Sequence, residues 1–291
     1  MLSLPDRRKT AEAFGKLDFI VDVDIIMNDS AWYADVVLPE ASYLERYDPL
    51  NVLAGKIWLR QPVIEPQGEA KSALWIYKQL GERLGLGDFF QYADEEDYLR
   101  QQLAPTGITF EELKLRGWAD PPKEDKPKEE LKFSTASGKI EVFSQTLANA
   151  GFSGWPAWEE PPAPAADQFY LLTGKVGQHT QMGTQNNKLL NQVFKFQGLW
   201  MHPSEAAKRG INQNDKVRVK SEVGEVVTTA YVTQAIRPDC VYLTPGFGHL
   251  SKGLRVAYGN GASDSDLHVT YTDPISGGQA LSQTFVTVEK V

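Results

Sequence analysis

The sequence predicts an α/β unit followed by a β-barrel, and three observations support that interpretation. A dense run of β-branched and apolar residues at 19–26 follows the end of a helix, as in a buried parallel strand of an α/β sheet. Residues 155–167 have the proline density of an extended linker. Beyond them, several short strands and one small helix indicate a closed or nearly closed barrel. We therefore expect domains at 1–154 and 168–291.

The first domain contains one strongly marked helix, predicted at 70–84. Its apolar residues recur at helical spacing, and Gly85 stands where a C-terminal cap belongs. We expect the apolar stripe to pack in a core, and it consists of Ala73, Ile76, Tyr77, Leu80 and Leu84. The smaller elements predicted here are the end of a helix at 12–18, a strand at 56–60, helices at 94–103 and 110–115, and a charged loop at 120–130.

The barrel strands are predicted from alternating apolar and polar residues. The segments 216–220 and 225–232 form a hairpin that turns at Val223 and Gly224. A helix at 203–208 begins with a proline at its first position and is followed by Gly210 as its cap. The remaining strands are predicted at 169–173, 240–244 and 285–288.

Bulk composition argues against several classes of protein and of binding site. The 291 residues are 42% hydrophobic and 23% charged, which is typical of a soluble globular protein with room for two cores. A net charge of -8 argues against a nucleic-acid partner, because that partner normally requires a basic face. No apolar run approaches the ~20 residues of a membrane span, and residues 1–10 lack the apolar centre of a signal peptide. The single cysteine, Cys240, excludes an internal disulfide and a thiolate-ligated iron–sulfur cluster.

The stretch 171–187 is the most unusual part of the sequence. A strand gives way there to three glycines and a dense set of amide, hydroxyl and imidazole groups. Glycines let a backbone pass close to a ligand, and these side chains supply donors and acceptors without a carboxylate charge. The loop suits a large, polar, anionic ligand, and a polar surface loop is an equally good interpretation. Glycine-rich loops at 245–249 and 259–263 are weaker signals, because Gly-x-Gly is more often a simple turn.

This loop also carries a family resemblance. Its motifs Leu-Thr-Gly-Lys, Gln-His-Thr and Thr-Gln-Asn-Asn, followed by Leu-Trp-Met-His-Pro at 199–203, resemble the C-terminal region of the molybdopterin oxidoreductases, the dimethyl sulfoxide reductase and formate dehydrogenase group. Within that group they most resemble the catalytic subunit of thiosulfate and polysulfide reductases. The resemblance implies a six-stranded double-psi barrel that binds a molybdopterin guanine dinucleotide carrying molybdenum or tungsten. The implied pterin-binding residues are Thr173, Gly174, Lys175, Gln178, His179, Thr180, Thr184, Asn186 and Asn260.

The early segment 23–39 resembles the signature with which this family binds the guanine end of the cofactor. The matching positions are Asp24, Ser30 and Asp35. A carboxylate suits guanine because its two oxygens can accept from the N1–H and N2–H₂ groups together. The resemblance thus makes the first domain part of a Rossmann-like α/β domain, and we expect its polar surface and that of the barrel to face one cavity.

The residues present do not form a self-sufficient catalytic centre. The four histidines lack the spacing of metal ligands, so no metal ligand is assigned. The family's cluster cysteines and molybdenum ligand belong to an N-terminal region that these 291 residues do not match. Catalysis is therefore expected only as part of a molybdopterin-dependent oxidoreductase. His179 is a candidate for proton transfer near the metal, and simple hydrogen bonding is the alternative.

The expected function is that of the C-terminal portion of a molybdenum oxidoreductase reducing thiosulfate, polysulfide or a similar anion. By resemblance, its partners are the N-terminal portion of the enzyme, an iron–sulfur electron-transfer subunit and a membrane anchor, in the periplasm or at the outer face of the cytoplasmic membrane. Arsenate, tetrathionate or formate are alternative substrates. A non-catalytic barrel module that binds a nucleotide-like ligand or a partner is the alternative from another class.

Overall fold

The computed structural model of the chain describes residues 1–122, 132–155, 157–158, 160–194, 197–279 and 281–291. Packing divides the chain into two compact units, each of which is described by itself. The barrel unit comprises Met1–Ser42, Pro66–Ala73 and Ala163–Val291, and the second unit comprises Tyr43–Glu65 and Leu74–Pro162. Packing thus groups residues 1–42 with the barrel, whereas the sequential division into 1–154, 155–167 and 168–291 stays a prediction. Most of the predicted charged loop lies outside the described residues, as do residues 156 and 159 of the predicted linker.

The strands of the described residues are β1 Val21–Asp24, β2 Val36–Pro39, β3 Asn51–Leu53, β4 Lys56–Trp58, β5 Trp118–Ala119, β6 Phe169–Leu172, β7 Leu199–Met201, β8 Lys216–Lys220, β9 Glu225–Val232, β10 Cys240–Tyr242 and β11 Phe285–Lys290. The α-helices are α1 Arg7–Phe14, α2 Ala73–Arg83, α3 Glu95–Leu103, α4 Phe110–Arg116, α5 Gln145–Asn149, α6 Lys188–Val193 and α7 Pro203–Lys208. Within the described part of the chain, no helix combines the length and the apolar content needed to cross a membrane.

The predicted closed barrel is confirmed. Six strands close in the order β10-β6-β11-β8-β9-β7, and β8 and β9 pair antiparallel as the predicted hairpin. Alternate side chains of each strand point into the barrel, so Val217 and Val219 on β8 are fully buried beside Leu171 and Val286. The sequence missed β7 and α6, because three- and six-residue elements are too short to display a period.

The first strand was predicted to be buried, and that prediction is wrong. β1 pairs with β2 in parallel, as expected, with Val21 opposite Val36. However, Phe19 and Ile25 next to the strand are 63% and 55% exposed, and Val21 is also exposed. β2 is the only partner of β1 among the described strands, so this sheet has two strands in the described part of the chain.

The second unit combines a three-stranded antiparallel sheet, ordered β3-β4-β5, with short helices. Its core contains Ile57, Leu59, Leu99, Leu103, Phe110, Leu113 and Ala119. The helices α3 and α4 were predicted correctly, and their caps are Asp94 and Thr109, whose side chains accept from backbone N–H groups three residues later.

The apolar stripe predicted for α2 is wrong in most positions. Of its members only Ile76 is buried, whereas Tyr77, Leu80 and Leu84 are exposed. The helix packs instead through a neighbouring edge that includes Gly81, where an added Cβ would meet the Phe90 ring at 2.1 Å. A small residue therefore selects the buried edge, and the large apolar residues do not.

Candidate functional site

Two polar loops meet at one end of the barrel. β6 and β10 pair in parallel with Leu172 opposite Tyr242, so the loops 173–187 and 243–263, called the rim loops below, leave from the same end. The Tyr242 hydroxyl donates to the carbonyl oxygen of Gly174 at 2.8 Å. Asn186 joins the two loops, because its Oδ1 accepts from the N–H groups of Val256 at 2.9 Å and Ala257 at 3.3 Å. The parallel strand pair thus brings together motifs that are about 70 residues apart in sequence.

A buried glutamine fixes the bend of the first rim loop. Gln185 is 1% exposed, its Nε2 donates to the carbonyl of Gln181 at 2.6 Å, and its Oε1 accepts from the N–H of Thr184 at 3.1 Å. Gly246 of the second rim loop lies against it, with a φ of 83° and no space for a Cβ, which would be 2.5 Å from Gln185 Nε2. The sequence did not single out Gln185, because a glutamine in a polar loop carries no local signal of burial.

The loop after β1 has a turn held by the side chain of Asn28. Its Oδ1 accepts from the N–H groups of Ser30 at 2.7 Å and Ala31 at 3.0 Å, and its Nδ2 donates to Asp24 at 2.5 Å. The other oxygen of Asp24 accepts from the N–H of Ile26 at 3.0 Å. This Asx-type turn orients the polar triplet 28–30 at the carboxyl end of the strand.

Asp29 fastens that loop to the rim of the barrel. It is 4% exposed, and its carboxylate accepts from the N–H groups of Leu250 at 2.6 Å and Ser251 at 2.7 Å and from Nδ1 of His249 at 2.5 Å. Burial alone would raise the pKa of Asp29, but the hydrogen bonds from His249, Ser251 and Leu250 outweigh it, so the pKa lies below its ordinary value. The sequence did not identify this residue, because its partners are about 220 positions away.

A pocket of about 130 Å³ opens where the early loop meets the rim loops. It is lined by Met1, Leu2, Ser3, Asn28, Asp29, Ser30, Met182 and His249. The structure therefore brings the predicted nucleotide segment, represented by Ser30, next to the first rim loop, represented by Met182. None of the residues lining the pocket is a lysine or an arginine.

The two aspartates of the predicted guanine site lie at different ends of the β1–β2 pair. Asp24 is opposite Pro39 at the carboxyl end and is bonded to Asn28, a residue of the pocket. Asp35 precedes β2 at the amino end, where its exposed carboxylate accepts from the N–H of Ile20 at 2.8 Å. Four residue steps along the strand separate the two ends by roughly 13 Å. Asp24 therefore lies beside the pocket and Asp35 lies well away from it.

The predicted pterin-binding residues fall into two groups. In the first, the side chain supports the loop itself, as described for Asn186, and Thr184 accepts from the N–H of Thr180 at 2.9 Å. In the second, the side chain makes no hydrogen bond to another described residue. This second group is Thr173, Lys175, Gln178, Thr180 and Asn260, all exposed or half-buried. It supplies an ammonium, two amides and two hydroxyls, none of which is hydrogen-bonded to another described residue. A polar anionic ligand requires donors of this kind.

His179 is held inside the first rim loop. It is 6% exposed, and its ring packs edge-on against Phe194 and Phe247 at centroid distances of 5.3 and 5.6 Å. Nδ1 lies 3.2 Å from Thr184 Oγ1, which also accepts from the N–H of Thr180. Nε2 of the ring is a buried atom without a hydrogen-bond partner among the described residues.

Burial lowers the pKa of His179 below its ordinary value, with a smaller opposing contribution from Thr184. We expect the imidazole to stay neutral down to a pH below the ~6.5 at which an unperturbed histidine titrates. Imidazole ¹⁵N shifts measured between pH 8 and pH 5 would show this as a midpoint below the peptide value. A midpoint at or above that value would contradict the buried, neutral ring.

The other titratable groups of the described residues do not assemble a metal site. No cluster of three or more His, Cys, Asp or Glu side chains has the geometry to hold an ion in this part of the chain. His268 is 2% exposed and pairs with Thr284 and Asp264, and His202 caps α7. Cys240 is buried, and burial raises the pKa of its thiol, as expected of a core residue.

Two family models match this chain. The model described as molydopterin dinucleotide binding domain matches residues 169–285, which begin with β6 and end at the start of β11. The model described as molybdopterin oxidoreductase matches residues 1–83, which include the early loop and its Asp29.

Curated relatives match over most of this chain and over a smaller share of their own length. The thiosulfate reductase molybdopterin-containing subunit PhsA of Salmonella typhimurium is 32% identical, over 94% of this chain and 39% of that protein. The dimethyl sulfoxide reductase DmsA of Escherichia coli is 30% identical, over 95% of this chain and 38% of that protein. The F420-dependent formate dehydrogenase subunit alpha of Methanocaldococcus jannaschii is 29% identical, over 84% and 36%. The chain thus spans less than two fifths of these relatives.

A solved structure shares the fold. Acetylene hydratase from Pelobacter acetylenicus superposes with a TM-score of 0.86 over 99% of this chain and 42% of that chain, at 21% identity.

Proposed function

The chain belongs to the molybdopterin oxidoreductase family, and we propose that it is the part of a molybdenum oxidoreductase that holds the molybdopterin guanine dinucleotide cofactor. One observation carries this proposal: Lys175, Gln178 and Asn260, on loops that converge at one end of the barrel, keep their polar side chains free of hydrogen bonds to other described residues. Free polar groups on an otherwise well-bonded rim are what a large polar ligand needs.

The donor set fits the proposed cofactor. The Lys175 ammonium offers positive charge to its phosphates, and the amides of Gln178 and Asn260 can pair with the mixed donors and acceptors of a pterin ring. The buried Nε2 of His179 is a further polar atom without a partner among the described residues. When bound, the cofactor supplies the redox chemistry of its metal, as is general for cofactor enzymes. The chain's own residues bind and orient it.

Each predicted residue takes a definite role in this proposal. Thr173, Gly174, Lys175, Gln178, His179, Thr180 and Asn260 contact the pterin, Thr184 and Asn186 hold the rim loops in shape, and Asp24, Ser30 and Asp35 serve the guanine end. Because His179 is buried and its pKa is lowered, we assign it hydrogen-bond donation before proton transfer. The barrel is proposed to be of the double-psi type, and the early strands to be part of a Rossmann-like domain.

The substrate proposed is thiosulfate, polysulfide or a similar anion, supported by the identity to the thiosulfate reductase subunit over nearly the whole chain. The proposed partners are the parts of the enzyme that these 291 residues do not span, an iron–sulfur electron-transfer subunit and a membrane anchor. The location proposed is the periplasm or the outer face of the cytoplasmic membrane. Another substrate of the family is the alternative, because other relatives are named for dimethyl sulfoxide and formate.

A triple variant tests the cofactor role. Lys175→Ala with Gln178→Ala and Asn260→Ala removes three hydrogen-bonding groups, one of them charged, which together lower affinity by about 100-fold or more. We expect the enzyme containing this variant to lose most of its cofactor on gel filtration, measured as GMP released by acid hydrolysis per chain. The single variant Lys220→Gln, an exposed lysine at the end of β8, is the matched control and should retain the cofactor.

Two outcomes would contradict the proposal. Wild-type enzyme purified without GMP or pterin, even after reconstitution, favours the non-catalytic barrel module. A triple variant that retains as much cofactor as the Lys220→Gln control would show that the rim loops do not bind it.

A further inference from the structure

Asp29 and His249 form a buried pair beside the pocket, and neither was singled out by the sequence as a binding residue. The carboxylate of Asp29 is hydrogen-bonded to Nδ1 of His249 at 2.5 Å. It also accepts from two backbone N–H groups, which hold it in place. The ring lines the pocket, and its Nε2 makes no hydrogen bond to a described residue. Nε2 is also not among the fully buried atoms that lack a partner, so it keeps some exposed surface.

The pairing determines which proton the ring carries. An ionised carboxylate can only accept, so Nδ1 of His249 must hold the proton that is donated to Asp29. In the neutral ring Nε2 is then a hydrogen-bond acceptor.

The surroundings favour a ligand that brings donors. The pocket is flanked by the carboxylates of Asp24 and Asp29 and lined by no lysine or arginine. The pocket has a volume of about 130 Å³, which suits a ring-sized group, since a cavity of ~150 Å³ accommodates benzene.

We propose that His249, held by Asp29, accepts through Nε2 a hydrogen bond from a hydroxyl or N–H group of the nucleotide end of the bound cofactor. This inference rests on the proposed function and adds a specificity contact to it. Asp29 is then a positioning residue, and His249 is the residue that touches the ligand. Two groups at the nucleotide end can donate this hydrogen bond. One is a ribose hydroxyl, and the other is the exocyclic amine of the base.

Calorimetric titration of the full chain with three nucleotides distinguishes the two donors. GDP carries both, 2′,3′-dideoxy-GDP lacks the ribose hydroxyls, and IDP lacks the exocyclic amine. We expect the wild type to prefer GDP to one of the two analogues by about tenfold, the usual size of one buried hydrogen bond. His249→Asn keeps an amide donor for Asp29 but has no group at the Nε2 position, and it should lose that preference.

Two further variants control for folding. His249→Gln offers a carbonyl oxygen near the Nε2 position and should recover part of the preference even if it melts at a lower temperature. His268→Asn alters the other buried His–Asp pair, which lines no described pocket, and should keep the full preference.

The outcomes separate this inference from the proposed function. Wild type that binds GDP and both analogues equally, or His249→Asn that keeps the preference, overturns the role of His249 while the cofactor role stands. Wild type that binds none of the three nucleotides overturns the contact at this pocket, and the GMP content of the purified enzyme then decides the proposed function separately.

Discussion

Replacing Asp29 by alanine is expected to lower the free energy of unfolding of the barrel unit by about 3–5 kcal/mol. The carboxylate is 4% exposed and satisfies three donors, so its removal leaves the N–H groups of Leu250 and Ser251 and Nδ1 of His249 buried without an acceptor. Urea titration of the two proteins measures the difference. Asp35→Ala is the matched control, because that exposed carboxylate accepts one hydrogen bond and should cost about 1 kcal/mol or less.

The pH dependence of the stability difference between wild type and a second variant, Asp29→Asn, gives an independent check. The pKa of Asp29 is lowered in the folded protein, so its contribution is complete above the unfolded-state pKa of about 3.9 and is lost as the pH falls through the folded pKa. The stability gap between wild type and Asp29→Asn should therefore narrow as the pH falls below about 4. A gap that is constant or widens under acid would show that Asp29 is not ionised in the folded state.

Gly248→Ala is expected to lower the free energy of unfolding by about 3 kcal/mol or more, because two penalties combine. Its φ of 73° lies in the left-handed region, which costs a residue with a Cβ about 1–2 kcal/mol. The new Cβ would also be 2.5 Å from the backbone nitrogen of Ser263 and 2.9 Å from the carbonyl carbon of Ala262, so the two arms of the second rim loop must separate.

Gly259→Ala isolates the first penalty, the left-handed backbone conformation. Gly259 has a φ of 67° on the same rim loop, but a Cβ there meets nothing within 4 Å. We expect it to lose only about 1–2 kcal/mol. Equal losses of unfolding free energy for the two variants in urea titrations would contradict this, because they would show that the backbone near Gly248 leaves room for a Cβ in solution.

Local patterns were sufficient to predict the barrel. The β8–β9 hairpin and the proline that begins α7 depend on alternation, turn residues and caps, all of which act within a few residues. Burial was predicted less well. The apolar residues around β1 and along α2 have strand and helix spacing, yet most are exposed, because burial depends on which other layers pack against an element.

The candidate site divides in the same way. Lys175 and Gln178 were found because the motif that contains them resembles a family, and their free side chains agree with a binding role. Asp29 and His249 carry no comparable signal, since an aspartate in a turn and a histidine after a glycine are common in surface loops. Their pairing arises only when the fold brings together positions about 220 residues apart.

A structure of the cofactor-loaded enzyme that contains this chain tests the central claim most directly. We expect pterin atoms within hydrogen-bonding distance of the side chains of Lys175, Gln178 and Asn260, and the nucleotide end near the pocket beside Asn28 and His249. A bound cofactor that leaves the rim loops in contact with solvent alone would contradict the account.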